Sequence, residues 1–118
     1  MITPKKRPMR GCAFYAGILS IMLPSASHAE YHDGNELLDY CTREEGTFGS
    51  GVCSGYISGV ASVLASSGVN GFRACIPDNV TNGQIRRVIV DRLERNPALL
   101  HYGASGLVAE ALEIAFPC

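Results

Sequence analysis

Four segments of the chain space their apolar residues at the period of an α-helix. The most central segment covers residues 53–64, where apolar side chains recur every three or four positions. Ser50 precedes this segment as a candidate N-cap, and Ser66-Ser67-Gly68 ends it. We therefore predict a central helix around which the other segments pack. Its apolar stripe consists of Cys53, Tyr56, Ile57, Val60, Val63 and Leu64.

The same stretch carries a second stripe, made of small residues. Ser54, Ser58 and Ser62 lie four positions apart, as do Gly55 and Gly59. Each glycine costs a helix about 1 kcal/mol relative to alanine, so tertiary packing has to hold this helix. Because small residues let another backbone approach, we predict that this stripe packs closely in the core. A membrane dimer face needs about 20 apolar residues, and this stretch is too short and too rich in serine.

The first helix is predicted to begin at Asp33, an N-cap residue with Glu36 at position N3. Its apolar face consists of Leu37, Leu38, Tyr40 and Cys41. Residues 43–51 include three glycines and are interpreted as the connector to the central helix.

The third helix has the clearest start signal. Thr81 and Gln84 form a capping box, and Val80 faces Ile85 as a hydrophobic staple. The helix ends at Asn96-Pro97, because the residue before a proline is pushed out of helical geometry. Its apolar positions are Ile85, Val88, Ile89 and Leu93, and its charged positions, predicted to be solvated, are Arg86, Arg87, Asp91, Glu94 and Arg95.

The last helix, predicted over residues 105–115, is apolar on nearly every side except at Glu110 and Glu113. These two acids lie three positions apart and could form a carboxylate pair, but an exposed polar face is the favoured interpretation. The four segments together predict an all-α fold, a small disulfide-stapled bundle of four main helices. We assign residues 30–118 to a single domain.

The first 29 residues have the organisation of a secretory signal peptide. A basic region is followed by a short apolar region over residues 11–23, by Pro24 and by the cleavage signal Ser27-His28-Ala29. A transmembrane helix is the alternative, but the apolar run is too short and no later segment is predicted to be long enough to span. We therefore expect export, with cleavage before Glu30.

Removal of this segment changes the charge and the cysteine count. Residues 30–118 keep six arginines, no lysine and all eleven acidic residues, a net charge of −5. This balance argues against nucleic acid and against anionic lipid as partners. Four cysteines remain, without the paired spacing of a zinc site, so we expect two disulfides and no metal.

Helix lengths indicate which cysteines pair. Cys41 lies one connector away from Cys53, and a fourth helix antiparallel to the third returns Cys118 to the neighbourhood of Cys75. The pairs Cys41–Cys53 and Cys75–Cys118 are therefore favoured. The other two connectivities stay open.

The residue pattern does not indicate catalysis. The four cysteines are assigned to disulfides, the serines fit cap or helix positions, and no Gly-x-Ser-x-Gly turn occurs. The histidines of the exported segment, His32 and His101, lie far apart in the sequence. We expect a protein that binds a partner, is not an enzyme and uses no cofactor.

Five motifs taken together resemble the Rap/Tai family, periplasmic immunity proteins against type VI secretion amidase effectors. The resemblance extends over residues 34–118. The motifs are Gly34-Asn-Glu-Leu-Leu-x-x-Cys41, Cys53-x-Gly-Tyr-Ile-x-Gly-Val60, Cys75-Ile-Pro77, Val80-Thr-x-x-Gln84 and the ending Ala-Leu-x-x-Ala-Phe-Pro-Cys118. Ser62 departs from the pattern, since members often carry an acid there, and a contact made by that acid would be missing.

The resemblance implies a small helical domain, often a homodimer, that blocks the active-site groove of a peptidoglycan amidase. In that family, loops between helices enter the cleft of the toxin, and residues 96–102 are the corresponding candidate here. Leu99, Leu100 and Tyr102 would supply apolar and aromatic anchors, or would instead pack onto their own core. The candidate partner-binding residues are Asn96, Pro97, Leu99, Leu100, His101 and Tyr102.

Two other functions are compatible with the same features. An HdeA-like periplasmic acid-stress chaperone is also small, helical and disulfide-bonded, and would protect many clients instead of one tight partner. A structural or assembly factor of the cell envelope is the third possibility.

Overall fold

The structure is a computed structural model that describes residues 31–118, so the predicted signal peptide lies outside the described residues. Four α-helices follow one another, with a 3-10 turn at Pro97–Leu99 and no strand in this part of the chain. The predicted all-α bundle is therefore confirmed. The helices are α1 (Gly34–Cys41), α2 (Phe48–Ser66), α3 (Asn82–Arg95) and α4 (Ala104–Ala115).

Side-chain caps set where three of the helices begin. Asp33 accepts a hydrogen bond from the N–H of Glu36 at 2.9 Å and starts α1, and Thr81 and Gln84 form the predicted capping box of α3. The N-cap of α2 is Thr47, not Ser50 as the sequence indicated. α2 therefore begins earlier than expected, and Ser50 is a buried residue of its first turn.

The core lies where α1, α3 and α4 pack against α2 and against one another. Its largest fully buried side chains are Leu37, Cys53, Ile57, Leu64, Ile89, Leu93, Val108 and Leu112. The predicted apolar stripe of α2 is wrong at Val63, whose side chain is 49% exposed. Val88, expected to be buried, is half-buried, because it lies at the edge of the face that α3 turns to the core.

Gly51, Gly55 and Gly59 of α2 do not pack in the core, which corrects the sequence interpretation of Gly55 and Gly59. A methyl group added to Gly51, Gly55 or Gly59 would meet no atom within 4 Å. These three glycines face outward because α2 presents its other side, with Ile57 and Leu64, to the core. Ser54 and Ser58, by contrast, lie against α3 and accept hydrogen bonds from Asn82. An uncharged and open face therefore runs along the glycine side of this helix.

α2 is also longer than the sequence indicated. Its 19 residues are long and apolar enough to cross a membrane by length and composition alone, so the expectation that no later segment could span is wrong. Only 28% of its most apolar 18-residue window is buried. Because the other three helices pack on α2, its place in the structure is that of a core helix with one open face.

Two disulfides join the elements, Cys41–Cys53 and Cys75–Cys118, the pairing favoured from helix lengths. The first links the end of α1 to the first part of α2, and both of its cysteines are buried. The second links the segment before α3 to the end of the chain, and both of its cysteines are exposed.

The side chain of Arg86 ties α3 to the ends of two other helices, although the sequence placed it on a solvated face. Its guanidinium group donates to the carbonyl oxygens of Cys41 (2.9 Å) and Arg43 (3.0 Å) and to the hydroxyl of Ser50 (2.9 Å). The carbonyl groups that end a helix have no partner in that helix, so these bonds satisfy the terminus of α1. Arg86 is half-buried because it spans this junction.

We predict that Arg86→Met lowers the free energy of unfolding by about 2 kcal/mol, since hydrogen bonds from a charged donor are worth about 1.5–3 kcal/mol. Methionine keeps the apolar stem and removes the three donors. Arg87→Met is the control, because Arg87 is exposed. Urea unfolding of the oxidised protein measures both variants. Equal stability of the two would contradict the role assigned to Arg86.

Candidate partner-binding site

The loop between α3 and α4, residues 96–103, is fixed to the first turn of α1. The N–H of Gly34 donates to the carbonyl oxygen of Tyr102 at 3.0 Å, and the N–H of Asn35 donates to that of Leu100 at 3.1 Å. The side-chain amide of Asn35 reaches the same Leu100 oxygen at 3.2 Å. The first N–H groups of a helix lack partners inside the helix, so the loop caps α1 while α1 fixes the loop.

Gly34 is required for this contact because the backbones come so close. A Cβ atom at Gly34 would lie 2.6 Å from Cδ1 of Leu107, 2.9 Å from the carbonyl oxygen of Leu100 and 3.0 Å from the Leu100 Cα. Two of these three atoms belong to backbone, which cannot move aside as a flexible side chain can. Gly34 therefore holds the loop, α1 and α4 together at one point.

The other end of the loop is fixed by Asn96. Its backbone N–H donates to the carbonyl oxygen of Leu93 at 3.2 Å, and its side-chain amide donates to that of Arg92 at 2.8 Å. Its own carbonyl oxygen accepts from the N–H of Leu99 at 3.0 Å, which closes the 3-10 turn. The loop is thus held at both ends and has a defined shape.

The structure divides the six predicted binding residues into two groups. Leu99 and Leu100 are half-buried against the core, and Asn96 is half-buried as the cap of α3. Pro97, His101 and Tyr102 are exposed. The ring of Tyr102 is 55% exposed, and its centroid lies 4.1 Å from that of His101. The three exposed residues are the ones that a partner can reach.

A tight turn, residues 68–72, lies beside the loop. Val69 and Phe72 exchange two backbone hydrogen bonds, at 2.8 and 3.1 Å, across Asn70-Gly71. Asn70 and Gly71 both have positive φ, at 49° and 84°, which is the conformation that favours Asn-Gly in a two-residue hairpin turn. The turn also approaches α4 closely, since a Cβ atom at Gly106 would lie 3.3 Å from Nδ2 of Asn70.

A groove of about 390 Å³ opens between this turn and the loop, with α4 between them. The sequence patterns did not assign a role in binding to the turn or to the α4 residues of this groove, although Asn70-Gly71 is a recognisable turn signal. Nothing local in the sequence places that turn beside residues 99–103. The groove is lined by Asn70, Phe72, Leu99, Tyr102, Gly103, Gly106, Leu107 and Glu110.

The acids of α4 are partly exposed, as the sequence indicated, but both also have structural partners that the sequence did not reveal. Glu110 lies at the groove and accepts a hydrogen bond from Arg92 at 3.2 Å, with both side chains about one-third exposed. Glu113 accepts from the backbone N–H of Arg73 at 2.8 Å. The two acids hold different neighbours and do not form a carboxylate pair.

A larger hollow of about 700 Å³ lies along α3, from Gly83 to Glu94. Its lining mixes both charge signs, with Arg86 and Arg87 beside Glu45, Asp91 and Glu94, and Arg86 is already hydrogen-bonded. No group of three metal-ligating side chains occurs in residues 31–118. The groove beside the loop, with its exposed aromatic rings and apolar lining, is therefore the better candidate for binding another protein.

We predict that Gly34→Ala destabilises the protein by about 1–3 kcal/mol, since overpacking forces neighbouring backbone to move. Amide hydrogen exchange at position 34 and at Asn35 should accelerate, because the hydrogen bonds that these two N–H groups donate to Tyr102 and Leu100 lengthen. Gly83→Ala is the matched control in the first turn of α3, where an added methyl group meets only Oγ1 of Thr81 at 3.9 Å. It should leave exchange at Gly34 and Asn35 unchanged. Equal behaviour of the two variants would contradict the role of Gly34.

Comparison with known proteins gives one family. The model of the Rap1a immunity proteins matches residues 33–118, which is most of the chain and includes every helix described above. A comparison with curated proteins gives no match. The chain belongs to the family of Rap1a immunity proteins.

Proposed function

We propose that this protein is a periplasmic immunity protein that binds a peptidoglycan amidase effector of type VI secretion and blocks its active site. Membership of the Rap1a family supports the immunity function. The observation that carries the proposal is the exposed ring of Tyr102 on a loop fixed at both ends. In this account the protein acts by occupying its partner and catalyses no reaction.

The fixed loop favours tight binding to an effector because few residues have to become ordered when the complex forms. A loop that is already held in its bound shape loses less conformational entropy when a partner closes over it. Asn35, Gly34 and Asn96 supply the hydrogen bonds that hold it. Pro97 adds a fixed φ angle at the start of the 3-10 turn.

Tyr102 and the neighbouring groove give the site two complementary features. The exposed ring projects as an anchor, and aromatic anchors dominate the energetics of protein interfaces. The groove beside it can receive an apolar side chain of the effector against Phe72 and Leu107. The net charge of −5 over residues 30–118 favours an effector with a basic surface around its cleft.

The two disulfides support the proposed location. Disulfides persist in oxidising compartments such as the bacterial periplasm, where a peptidoglycan amidase would act. The predicted signal peptide, residues 1–29, would direct the chain there.

The same proposal includes a homodimer formed through the open face of α2. No Asp, Glu, Lys, Arg or His occurs between Glu45 and Arg73, so two acidic copies can meet there without repulsion. Gly51, Gly55 and Gly59 leave room for a second helix. Phe48, 85% exposed, and Val63 supply apolar surface on the same helix.

We predict that Tyr102→Ala weakens binding of the cognate amidase by about 2 kcal/mol, roughly thirtyfold, since an aromatic hot spot is lost. Ile114→Ala is the control, because Ile114 is similarly exposed (59%) but lies in the last turn of α4, at the opposite end of that helix from Tyr102 and outside the groove lining. Isothermal titration with the amidase encoded beside this gene measures affinity, and release of peptidoglycan fragments measures inhibition. Failure of the wild-type protein to inhibit at equimolar ratio would contradict the proposal.

We predict that Gly55→Glu converts the dimer to a monomer without loss of helix content. The new carboxylate has open space in the single chain but would face its own copy across the interface. Gly83→Glu adds the same charge to exposed α3 and should leave the dimer intact. Light scattering after size exclusion gives the mass. A wild-type monomer at tens of micromolar, or a dimeric Gly55→Glu protein, would overturn this part of the proposal.

A further inference from the structure

The two disulfides differ in their access to solvent. Cys41 and Cys53 are only 4% and 0% exposed, whereas Cys75 and Cys118 both lie at the surface. We propose that Cys75–Cys118 is a thiol-exchange site that a dithiol can open while Cys41–Cys53 stays closed. We further propose that this opening releases one wall of the partner-binding groove. The exposed disulfide then regulates the site, and the buried one maintains the fold.

The exposed disulfide is one of three links between the same two parts of the chain. The N–H of Cys75 donates to the carbonyl oxygen of Phe116 at 2.9 Å, and the N–H of Arg73 donates to Glu113 at 2.8 Å. All three links join residues 73–75 to the end of α4 and the residues after it. The disulfide is the covalent member of this set.

These three links determine the position of the turn, which forms one wall of the groove, relative to α4, which forms another. Residues 73–75 directly follow the turn that carries Asn70 and Phe72, and α4 carries Gly106 and Leu107. Loss of the disulfide leaves two hydrogen bonds, of which the one to Glu113 is exposed to water, and the small buried side chain of Ala74. Exposed hydrogen bonds open readily, so the turn should move away from α4 while the packed helices stay in place.

The helices do not depend on this disulfide in the same way. The buried disulfide and the contacts of α1, α3 and α4 with α2 remain after Cys75–Cys118 is opened. Because Cys41–Cys53 is enclosed, a reductant reaches it only when the surrounding helices open. The two bonds should therefore be reduced in separate steps.

The exchange reaction needs a dithiol as its co-reactant. A thiolate of the dithiol attacks Sγ of Cys75 or Cys118, the sulfur–sulfur bond breaks, and the released cysteine thiolate takes a proton from solvent. The second thiol of the reagent then attacks the mixed disulfide and releases the other cysteine as a thiol. Two electrons and two protons pass to the protein, and the dithiol becomes a disulfide.

The consequence for binding rests on the proposed function. If the groove receives the effector, the protein binds it tightly only when Cys75–Cys118 is oxidised. A chain reduced at this bond keeps its helices but presents a groove with one displaced wall. Binding would then be restricted to an oxidising compartment, where the effector acts.

The first test follows the order of reduction in the unmodified secreted protein. The protein is treated with dithiothreitol under native conditions, free thiols are blocked with N-ethylmaleimide, and labelled peptides are identified by mass spectrometry. We expect labelling of Cys75 and Cys118 on the order of tenfold faster than labelling of Cys41 and Cys53, because only the first pair is accessible to the reagent. Simultaneous labelling of all four cysteines, or earlier labelling of Cys41 and Cys53, would overturn the proposal.

The second test compares the double variant Cys75→Ser/Cys118→Ser with the wild-type protein by amide hydrogen exchange. We expect exchange at Val69, Phe72, Arg73 and position 75 to rise by roughly tenfold while the amides of α2 keep their protection. Unchanged exchange in residues 69–75 would overturn the proposal. If the double variant does not fold, the proposal is refuted, because the Cys41–Cys53 disulfide alone would then not maintain the bundle.

Binding is measured last, by titrating the double variant into the amidase. We expect affinity to fall by roughly tenfold relative to the oxidised wild-type protein, as the displaced wall removes part of the interface. Equal affinity would overturn the regulatory role. If the wild-type protein itself does not bind the amidase, the proposed function fails, and the labelling and exchange results still decide whether the disulfide controls the groove.

Discussion

The hydrogen bonds from Gly34 and Asn35 to the carbonyl oxygens of Tyr102 and Leu100 join the start of α1 to the loop before α4. The contact stabilises both segments. The first N–H groups of α1 gain the hydrogen-bond acceptors that the helix itself does not provide, and the surface loop is held in one conformation. A glycine at position 34 is what allows this approach. The exposed position of Tyr102, and with it the edge of the groove, follows from this contact.

Different parts of the bundle are stabilised by different interactions. At the loop end, backbone hydrogen bonds hold the loop, and beyond the last turn of α4 the Cys75–Cys118 disulfide holds the segment that follows the turn. At the opposite end, Arg86 and the Cys41–Cys53 disulfide secure the junction of α1 with α2. Between them α2 presents an uncharged face at Gly51, Gly55 and Gly59, on which nothing packs within residues 31–118. A chain of this size buries little core, so these specific links supply much of its order.

The sequence predicted the helices well because their signals are local. The N-cap at Asp33, the capping box at Thr81 and the stop at Asn96-Pro97 depend on residues close together in the chain. The errors have a common cause. Gly55 and Gly59 face solvent, Arg86 is half-buried and Glu113 binds a distant backbone N–H, and each of these facts depends on how helices are rotated against one another. Helical periodicity identifies which residues share a face of a helix, but it does not identify which element packs on that face. The groove escaped prediction for the same reason, since its turn and its loop are about 30 positions apart in the printed sequence.

The central claim is that a partner is bound by the loop and the turn at one end of the bundle. Amide hydrogen exchange of the oxidised protein, measured with and without the cognate amidase, tests this claim most directly. We expect new protection in residues 68–72 and 97–107, with little change in the first turns of α3. Protection concentrated instead in residues 83–94, around the hollow lined by Arg87 and Glu94, would contradict it.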